Sequence, residues 1–277
     1  MPSSVPRAQP LSVDVAIVNW NTADAAREAG EAYAASAGVS ASVTIVDNDS
    51  QPQERERLER TRPPGVELIL SPTNLGFGSA ANLGLREGSA EFVCVSNADV
   101  VPDRDALAAL AEFCDSHPDC GMVGPAFAEH STYHARLPKP GALILRPLIG
   151  GFGHRWEPSP APGDSVEVEQ PAGACFMVRR GVWEQVGGFD ESFFLWYEDV
   201  DLARRLLERG LRNFVTGDAV VRHNQGLAAR AMPSGDHQRA RLDGLDRYLR
   251  KHHPRARSVA APILAIARRV RAPGSKP

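Results

Sequence analysis

Asn97-Ala98-Asp99 puts two side-chain oxygens two residues apart. In extended chain such residues project to the same side. Both oxygens then face one point, as a hard divalent cation requires. Mg2+ or Mn2+ is typically held by one or two carboxylates, with substrate phosphates completing the shell. By itself the triplet is more often a turn; after a buried strand it gains weight as a ligand pair. His223 follows a short apolar run and is a candidate third ligand, although a lone His is more often structural. An imidazole would favour Mn2+ over Mg2+. A second acidic group, Glu198-Asp199-Val200-Asp201, directly follows the aromatic run Phe193-Phe194-Leu195-Trp196-Tyr197. Acids in a first helical turn suit the macrodipole. Beside aromatics, however, a carboxylate loses hydration and its pKa rises, which suits a general base.

These groups need a scaffold. Apolar runs at Val13–Val18, Val43–Val46, Val66–Leu70 and Phe92–Val95 alternate with helix-like segments at Thr22–Ala37, Gln53–Arg60, Leu75–Glu87 and Asp103–Ser116. Short β-branched runs alternating with helices predict βαβ units and a mostly parallel sheet with both faces covered. In such a sheet ligands bind beyond the carboxyl ends of the strands. There the sequence has Asn19-Trp20-Asn21, Asp47-Asn48-Asp49-Ser50, Thr73-Asn74 and Ser96-Asn97-Ala98-Asp99. Any one Asn or Asp is a usual turn former or helix cap; four on one edge are better explained by a polar ligand site. Asn74-Leu-Gly-Phe-Gly-Ser-Ala-Ala-Asn82 opens a helix with small residues, which let a backbone approach a ligand or simply pack helix on strand.

The second half predicts a strand at Ala174–Val178, a helix near Gly181–Val186, a helix over Glu198–Arg209, and short strands near Asn213–Thr216 and Val220–Arg222. Residues 126–165, rich in Pro and Gly, read as a long loop, of the kind that inside a compact domain is usually functional or disordered. Residues 1–10 read as a disordered leader, 11–225 as the α/β domain and 226–277 as a helical, basic extension.

The chain has 277 residues and a net charge of −3, so the whole molecule makes no electrostatic case for nucleic acid. From Arg247 onward there is no acid and there are nine Lys or Arg. That is either a solvated basic tail or a contact with an anionic membrane surface or acceptor. Four cysteines without a C-x-x-C pair make a disulfide framework improbable and fit a reducing cytoplasm. Cys114, His117 and Cys120 have a metal-like spacing that a surface helix end explains better.

Taken in order, Val18-Asn-Trp-Asn21, Val46-Asp-Asn-Asp-Ser50, Asn74-Leu-Gly-Phe-Gly78 with Asn82, Asn97-Ala-Asp99, Gly173-Ala-Cys-Phe-Met-Val178, Gly187-Gly-Phe-Asp-Glu191, Glu198-Asp-Val-Asp-Leu202 and His223 resemble the family 2 inverting glycosyltransferases of the GT-A fold. The bacterial rhamnosyltransferase-like branch is nearest. The resemblance covers about residues 13–225. It implies a GT-A, Rossmann-like nucleotide-binding sheet flanked by helices, with a C-terminal helical extension. It also implies that Asp47 reads the donor base beside Asn19, that Asn74 and Asn82 line the donor pocket, and that Asn97 and Asp99 form the metal triplet with His223. Asp199 matches the catalytic base, with Trp196, Glu198 and Asp201 on the acceptor side. The triplet often begins with Asp; here Asn97, a neutral amide, is the weaker ligand, so Asp99 should dominate.

The implied reaction is inverting transfer of a hexose from a nucleotide diphosphate to a hydroxyl, assisted by Mn2+ or Mg2+, at the inner face of the membrane or in the cytoplasm. The branch favours dTDP-rhamnose as donor, with UDP-sugars next. The acceptor classes are a saccharide, a lipid-linked saccharide or a small molecule. A nucleotidyltransferase would want a basic, Gly-rich loop after Val18, which is absent. A binding protein that has lost catalysis is the non-enzymatic alternative, and the intact Asp99, Asp199 and His223 argue against it.

Overall fold

The computed structural model describes residues 9–128, 132–149, 156–224, 227 and 234–270. Residues 1–8 of the expected 1–10 leader, 129–131 and 150–155 of the 126–165 segment, and 225–226, 228–233 and 271–277 of the C-terminal part therefore lie outside the described residues. The first half runs β1 (Leu11–Asn19), α1 (Ala23–Ala34), β2 (Val39–Asp47), α2 (Pro52–Thr61), β3 (Glu67–Leu70), α3 (Phe77–Leu85), β4 (Phe92–Asn97), β5 (Val100–Pro102), α4 (Ala106–Ser116) and β6 (Cys120–Phe127). The second half runs β7 (Thr132–Ala135), α5 (Pro140–Ile149), β8 (Trp156–Pro158), β9 (Ser165–Val168), β10 (Gln170–Pro171), β11 (Cys175–Arg179), α6 (Arg180–Val186), α7 (Glu198–Glu208), β12 (Arg212–His223), α8 (Ser234–His252) and α9 (Pro254–Val270).

The main sheet has the order β3-β2-β1-β4-β11-β6-β12-β5, with β9 alongside β12. Strands β3, β2, β1 and β4 pair in parallel, as do β6 and β12. Between these blocks β11 runs the other way, against β4 and β6. Both faces are covered. Val13, Val15 and Ile17 pack with Tyr33, Leu107 and Leu110 on one side. Ala16 and Val18 join Leu85, Phe176, Phe189, Leu202 and Leu206 on the other. This double burial is why the strands read as continuous apolar runs rather than alternating ones.

Three expectations needed correction. Strand β6 went unseen because Gly121, Gly124 and Pro125 interrupt its apolar run, yet all eight of its residues are buried. The two short strands near Asn213–Thr216 and Val220–Arg222 are one strand, β12, with an irregular register between Thr216 and Val220. The region 126–165 is not one long loop. Pro140 starts helix α5, a position that tolerates a missing N–H. Strands β10, β7 and β8 form a small separate sheet. All four cysteines are free and buried, and Cys114 and Cys120 sit with sulfurs 3.9 Å apart.

A third apolar cluster lies off the sheet. Leu242, Leu245, Tyr248 and Leu249 of α8 and Ala260, Leu264 and Ala267 of α9 bury with Leu143 of α5 and with Phe193, Tyr197 and Val200. The C-terminal helices thus share a core with the segment that leads into α7.

Candidate active site at the carboxyl edge of the sheet

Strand register decides which polar exits meet. Asn19 pairs opposite Asp47, and Asn97 lies opposite Val18. At the first exit Asn19 is fully buried and donates to Asp47 Oδ1 at 2.9 Å and to Ser50 Oγ at 3.3 Å. Its own oxygen accepts from the Thr22 hydroxyl. Asp47 is also fully buried. Its second oxygen accepts from the Ser50 N–H and from Arg55 Nε at 3.1 Å. The Arg55 guanidinium continues to the Ser71 carbonyl. Arg55 was not foreseen, because a charged residue in a charged helix carries no signal of a buried partner.

The neighbouring exit is a closed amide network. Asn48 donates to Asn74 Oδ1 at 3.0 Å and to the Gly76 carbonyl, and accepts from the Leu75 N–H. Gly76 has φ +82°, and a Cβ there would lie 2.1 Å from the Phe194 carbonyl oxygen. The same carbonyl accepts from the Phe77 N–H at 2.9 Å. Only glycine allows that approach. Asn82 faces the Gly187–Glu191 loop: it donates to the Phe189 carbonyl and to Glu191, and accepts from the Phe189 N–H. Its polar atoms are therefore engaged in holding that loop.

Of the candidate metal ligands, Asp99 is buried and its Oδ1 lies 3.2 Å from His223 Nε2. The pairing of β5 with β12 sets His223 opposite Val100, and the Asn224 N–H donates to the Asp99 carbonyl. One carboxylate and one imidazole thus converge, with the half-buried amide of Asn97 two residues before Asp99. Among the described residues no three His, Cys, Asp or Glu side chains converge on one point. A divalent cation would therefore hold two such side chains and take its remaining ligands from amide, water and phosphate oxygens, which is a fitting donor set for Mn2+ or Mg2+.

Helix α7 opens with Glu198 and Asp199 after two successive left-handed residues, Trp196 (φ +72°) and Tyr197 (φ +71°). Consecutive bulky residues there are strained, and such strain gathers at functional sites. Asp199 accepts from Gln170 Nε2 at 2.9 Å and from the Val200 N–H at 2.8 Å. Gly173 packs so close that a Cβ would lie 2.5 Å from Asp199 Oδ2. Burial pushes the Asp199 carboxyl up, and its two hydrogen bonds only partly oppose that. Glu198 is pushed up to about 8, by burial first and by the Asp199 charge next. Among the described residues its buried Oε2 has no hydrogen-bond partner, and neither has Gln170 Oε1. Gln170 was missed by sequence reasoning; a Gln in a two-residue strand carries no motif.

Asp201 turns the other way. It is fully buried beneath His252 Nε2 at 2.7 Å, Lys251 Nζ at 2.8 Å and Arg205 Nε at 2.7 Å. Burial alone would raise its carboxyl, but these three groups hold it low. The half-buried Trp196 ring meets His237 edge-on, with Arg241 over its face. The structure therefore brings Asn19 with Asp47, Asn74 with Asn48, Asp99 with His223, and Asp199 with Gln170. It directs Asn82 and Asp201 to the loops and helices that frame them.

A family model described as "Glycosyltransferase like family 2" matches residues 10–241. The chain is 32% identical over 213 residues to N-acetylglucosaminyl-diphospho-decaprenol L-rhamnosyltransferase of Mycobacterium tuberculosis, a stretch covering 66% of each protein. It is 25% identical over 203 residues to the low-salt glycan biosynthesis hexosyltransferase Agl10 of Haloferax volcanii, covering 70% of this chain and 61% of that one. The chain thus spans just under two thirds of these curated relatives. Among solved structures, the mannosyltransferase PcManGT from Pyrobaculum calidifontis, in complex with GDP-Man and Mn2+, superposes with a TM-score of 0.54 at 21% identity, covering 97% of this chain and 77% of that one. GalNAc-T7 with UDP, GalNAc and Mn2+ gives 0.54 at 12% identity, covering 78% and 44%. Both likenesses concern the fold, which is the GT-A arrangement.

Proposed function

Since the chain belongs to the glycosyltransferase family 2-like group, we propose that it transfers a hexose, with inversion, from a nucleotide diphosphate to a hydroxyl acceptor. The observation that carries this reading is the half-buried Asp199, aimed by Gln170 Nε2 and the Val200 N–H and raised by burial. A positioned carboxylate of raised pKa is suited to take a proton from a hydroxyl. The acceptor oxygen attacks the anomeric carbon as the bond from that carbon to the diphosphate oxygen breaks. The hydroxyl proton passes to Asp199, and the electron pair of the broken bond leaves with the diphosphate. A single displacement inverts the anomeric configuration.

Asp99 and His223, with Asn97 beside them, are the residues that would hold a Mn2+ or Mg2+. Such a cation offsets the negative charge that collects on a leaving diphosphate. On the donor side the Asn19–Asp47–Arg55 cluster is assigned to the base, and Asn74 and Asn82 to the loop that covers the nucleotide sugar. dTDP-rhamnose is the first donor candidate and a UDP-sugar the second, supported by the rhamnosyltransferase named among the relatives. That relative's name also supports a lipid-linked saccharide as the acceptor class, ahead of free saccharides or small molecules.

Such an acceptor calls for contact with the inner membrane face. Among the described residues no helix is long and apolar enough to cross a membrane. Helix α9 offers a peripheral contact instead: Val259 and Ile266 are exposed on it, and Arg255 and Arg269 stand at its ends. Basic residues beside an exposed apolar stripe favour anionic lipid.

Calorimetry tests the reading, with dTDP-rhamnose, UDP-glucose and GDP-mannose titrated with and without Mn2+. Metal-dependent binding of one base class, together with donor hydrolysis that Asp199→Ala abolishes while binding persists, is the expected result. Hydrolysis that survives Asp199→Ala would sink the assignment of the base, and a retained anomeric configuration would sink the single displacement.

A further inference from the structure

Helix α8 lies largely beyond the stretch that the family model matches, and it grips the base-bearing turn at three levels. At the first, Gly244 packs against backbone: a Cβ there would lie 2.4 Å from the Trp196 carbonyl oxygen and 3.1 Å from that of Leu195. At the second, the fully buried Tyr248 ring meets the Tyr197 ring at 5.6 Å. At the third, Lys251 reaches Asp190 at 2.6 Å and Asp201 at 2.8 Å, and His252 reaches Asp201 at 2.7 Å. Positions 244, 248, 251 and 252 lie on one helical face.

The contacts bracket the strained pair Trp196–Tyr197 and the two acids that follow it. The same turn is held from the donor side by the Phe77 N–H on the Phe194 carbonyl and by Asn82 on Phe189. Left-handed Trp and Tyr do not persist without an environment that over-determines them. Here α8 supplies half of that environment, and the donor loop supplies the other half.

We propose that Gly244, Lys251 and His252 are positioning residues for Asp199, and that α8 belongs to the catalytic unit rather than to an appended extension. The proposal rests on the reading of Asp199 as the base. Gly244 fixes how close the turn lies to α8, and Lys251 and His252 fix the first turn of α7 through Asp201. None of the three touches the donor-side clusters at Asn19, Asp47 or Asn48. Displacing α8 therefore lowers turnover and leaves donor binding alone.

The test uses the full chain with dTDP-rhamnose, read by calorimetry, by release of dTDP in slow donor hydrolysis, and by hydrogen exchange of peptides. The variants are Gly244→Ala, Lys251→Met, His252→Leu, His252→Gln and, as a control, Gly181→Ala, whose added Cβ meets nothing within 4 Å. We expect dTDP affinity within about twofold of wild type throughout. Hydrolysis should fall roughly tenfold or more in Gly244→Ala and His252→Leu. It should stay within about threefold in His252→Gln, whose amide still donates to Asp201. Amides of residues 195–201 should exchange faster in Gly244→Ala and His252→Leu, while those of 39–50 keep the wild-type rate.

Unchanged exchange over 195–201 in all folded variants would overturn the proposal, whether or not hydrolysis is measurable. Loss of affinity and turnover in parallel with a fall in Tm would replace positioning by plain stability. If Gly244→Ala fails to fold, His252→Leu against His252→Gln and Lys251→Met decide. Asp199→Ala run alongside separates the two claims: activity surviving that change removes the base itself, whereas its loss with α8 variants at wild-type turnover removes only the role of α8.

Discussion

The two sides of the site are built on different principles. On the proposed donor side, Asn19, Asp47, Ser50, Asn48 and Asn74 satisfy one another across adjacent strand ends. Arg55 is a charged partner drawn from helix α2. On the base side, Asp199 depends on Gln170, on Gly173 and on a strained turn that α8 supports from more than forty residues further along. Among the described residues the first arrangement is closed by its own hydrogen bonds and draws no partner from α8 or α9. The second leaves buried oxygens of Glu198 and Gln170 without hydrogen-bond partners among the described residues and shifts two carboxyls upward. Binding needs a preformed surface, whereas proton transfer needs a group held away from its preferred ionisation state.

This contrast is broken or sharpened by changes made on each side. Asp199→Asn should reduce turnover by roughly 10²- to 10⁴-fold, with donor affinity within about twofold; steady-state rates set beside calorimetry measure both. A matching loss of affinity would merge the two sides.

Glu198→Gln comes next and is read through pH. Because the folded-state pKa is raised to about 8, the native protein keeps this proton while the unfolded chain has already lost it. Wild-type stability therefore falls as pH rises from about 4.5 to 8, by an amount on the order of 5 kcal/mol. The Gln variant lacks this slope, so its gain in Tm should be small at pH 4.5 and largest at pH 8 and above. A gain that is flat with pH would show that Glu198 is ionised in the native protein.

Asp47→Ala should cost about 2–3 kcal/mol of stability, because Arg55 and Asn19 lose a buried acceptor. It should weaken donor binding while leaving turnover at saturation near wild type. A fall in saturated turnover alone would place Asp47 on the wrong side of the comparison.

The smallest effect concerns α9. Replacing Arg255 and Arg269 together by Ser should weaken association with anionic vesicles about tenfold at low salt. Neutral vesicles should show no change, and an equal loss on both would point away from charge. Cutting the chain at residue 247 would be a poor substitute, since Tyr248 and Leu249 are buried in the third core.

What could be read in the sequence follows the same division. Strand exits were legible because Asn and Asp interrupt apolar runs at regular places, and register then sets Asn19 beside Asp47. The acids after the aromatic run were legible as a group, but their separate fates were not. Asp199 and Asp201 are two residues apart on a helix, which turns them to different partners, Gln170 and His252. Gln170, Arg55 and the gripping face of α8 act through contacts between distant segments, for which periodicity offers no cue. Strand β6 was hidden by its own glycines and proline.

The reversed strand β11 has a topological consequence. A sheet whose strands all ran one way would offer only strand exits to its working edge. Because β11 runs backward beside β4, with the Asn97 N–H on the Ala174 carbonyl, it delivers a strand entrance there, and with it Gly173 and Gln170. What precedes that entrance is itself tied down, by Leu143 of α5 in the third core and by β9 beside β12. The working edge is therefore fed from two directions: the outlets carry Asn19, Asp47 and Asn97, and the inlet carries Gln170 and Gly173 to Asp199.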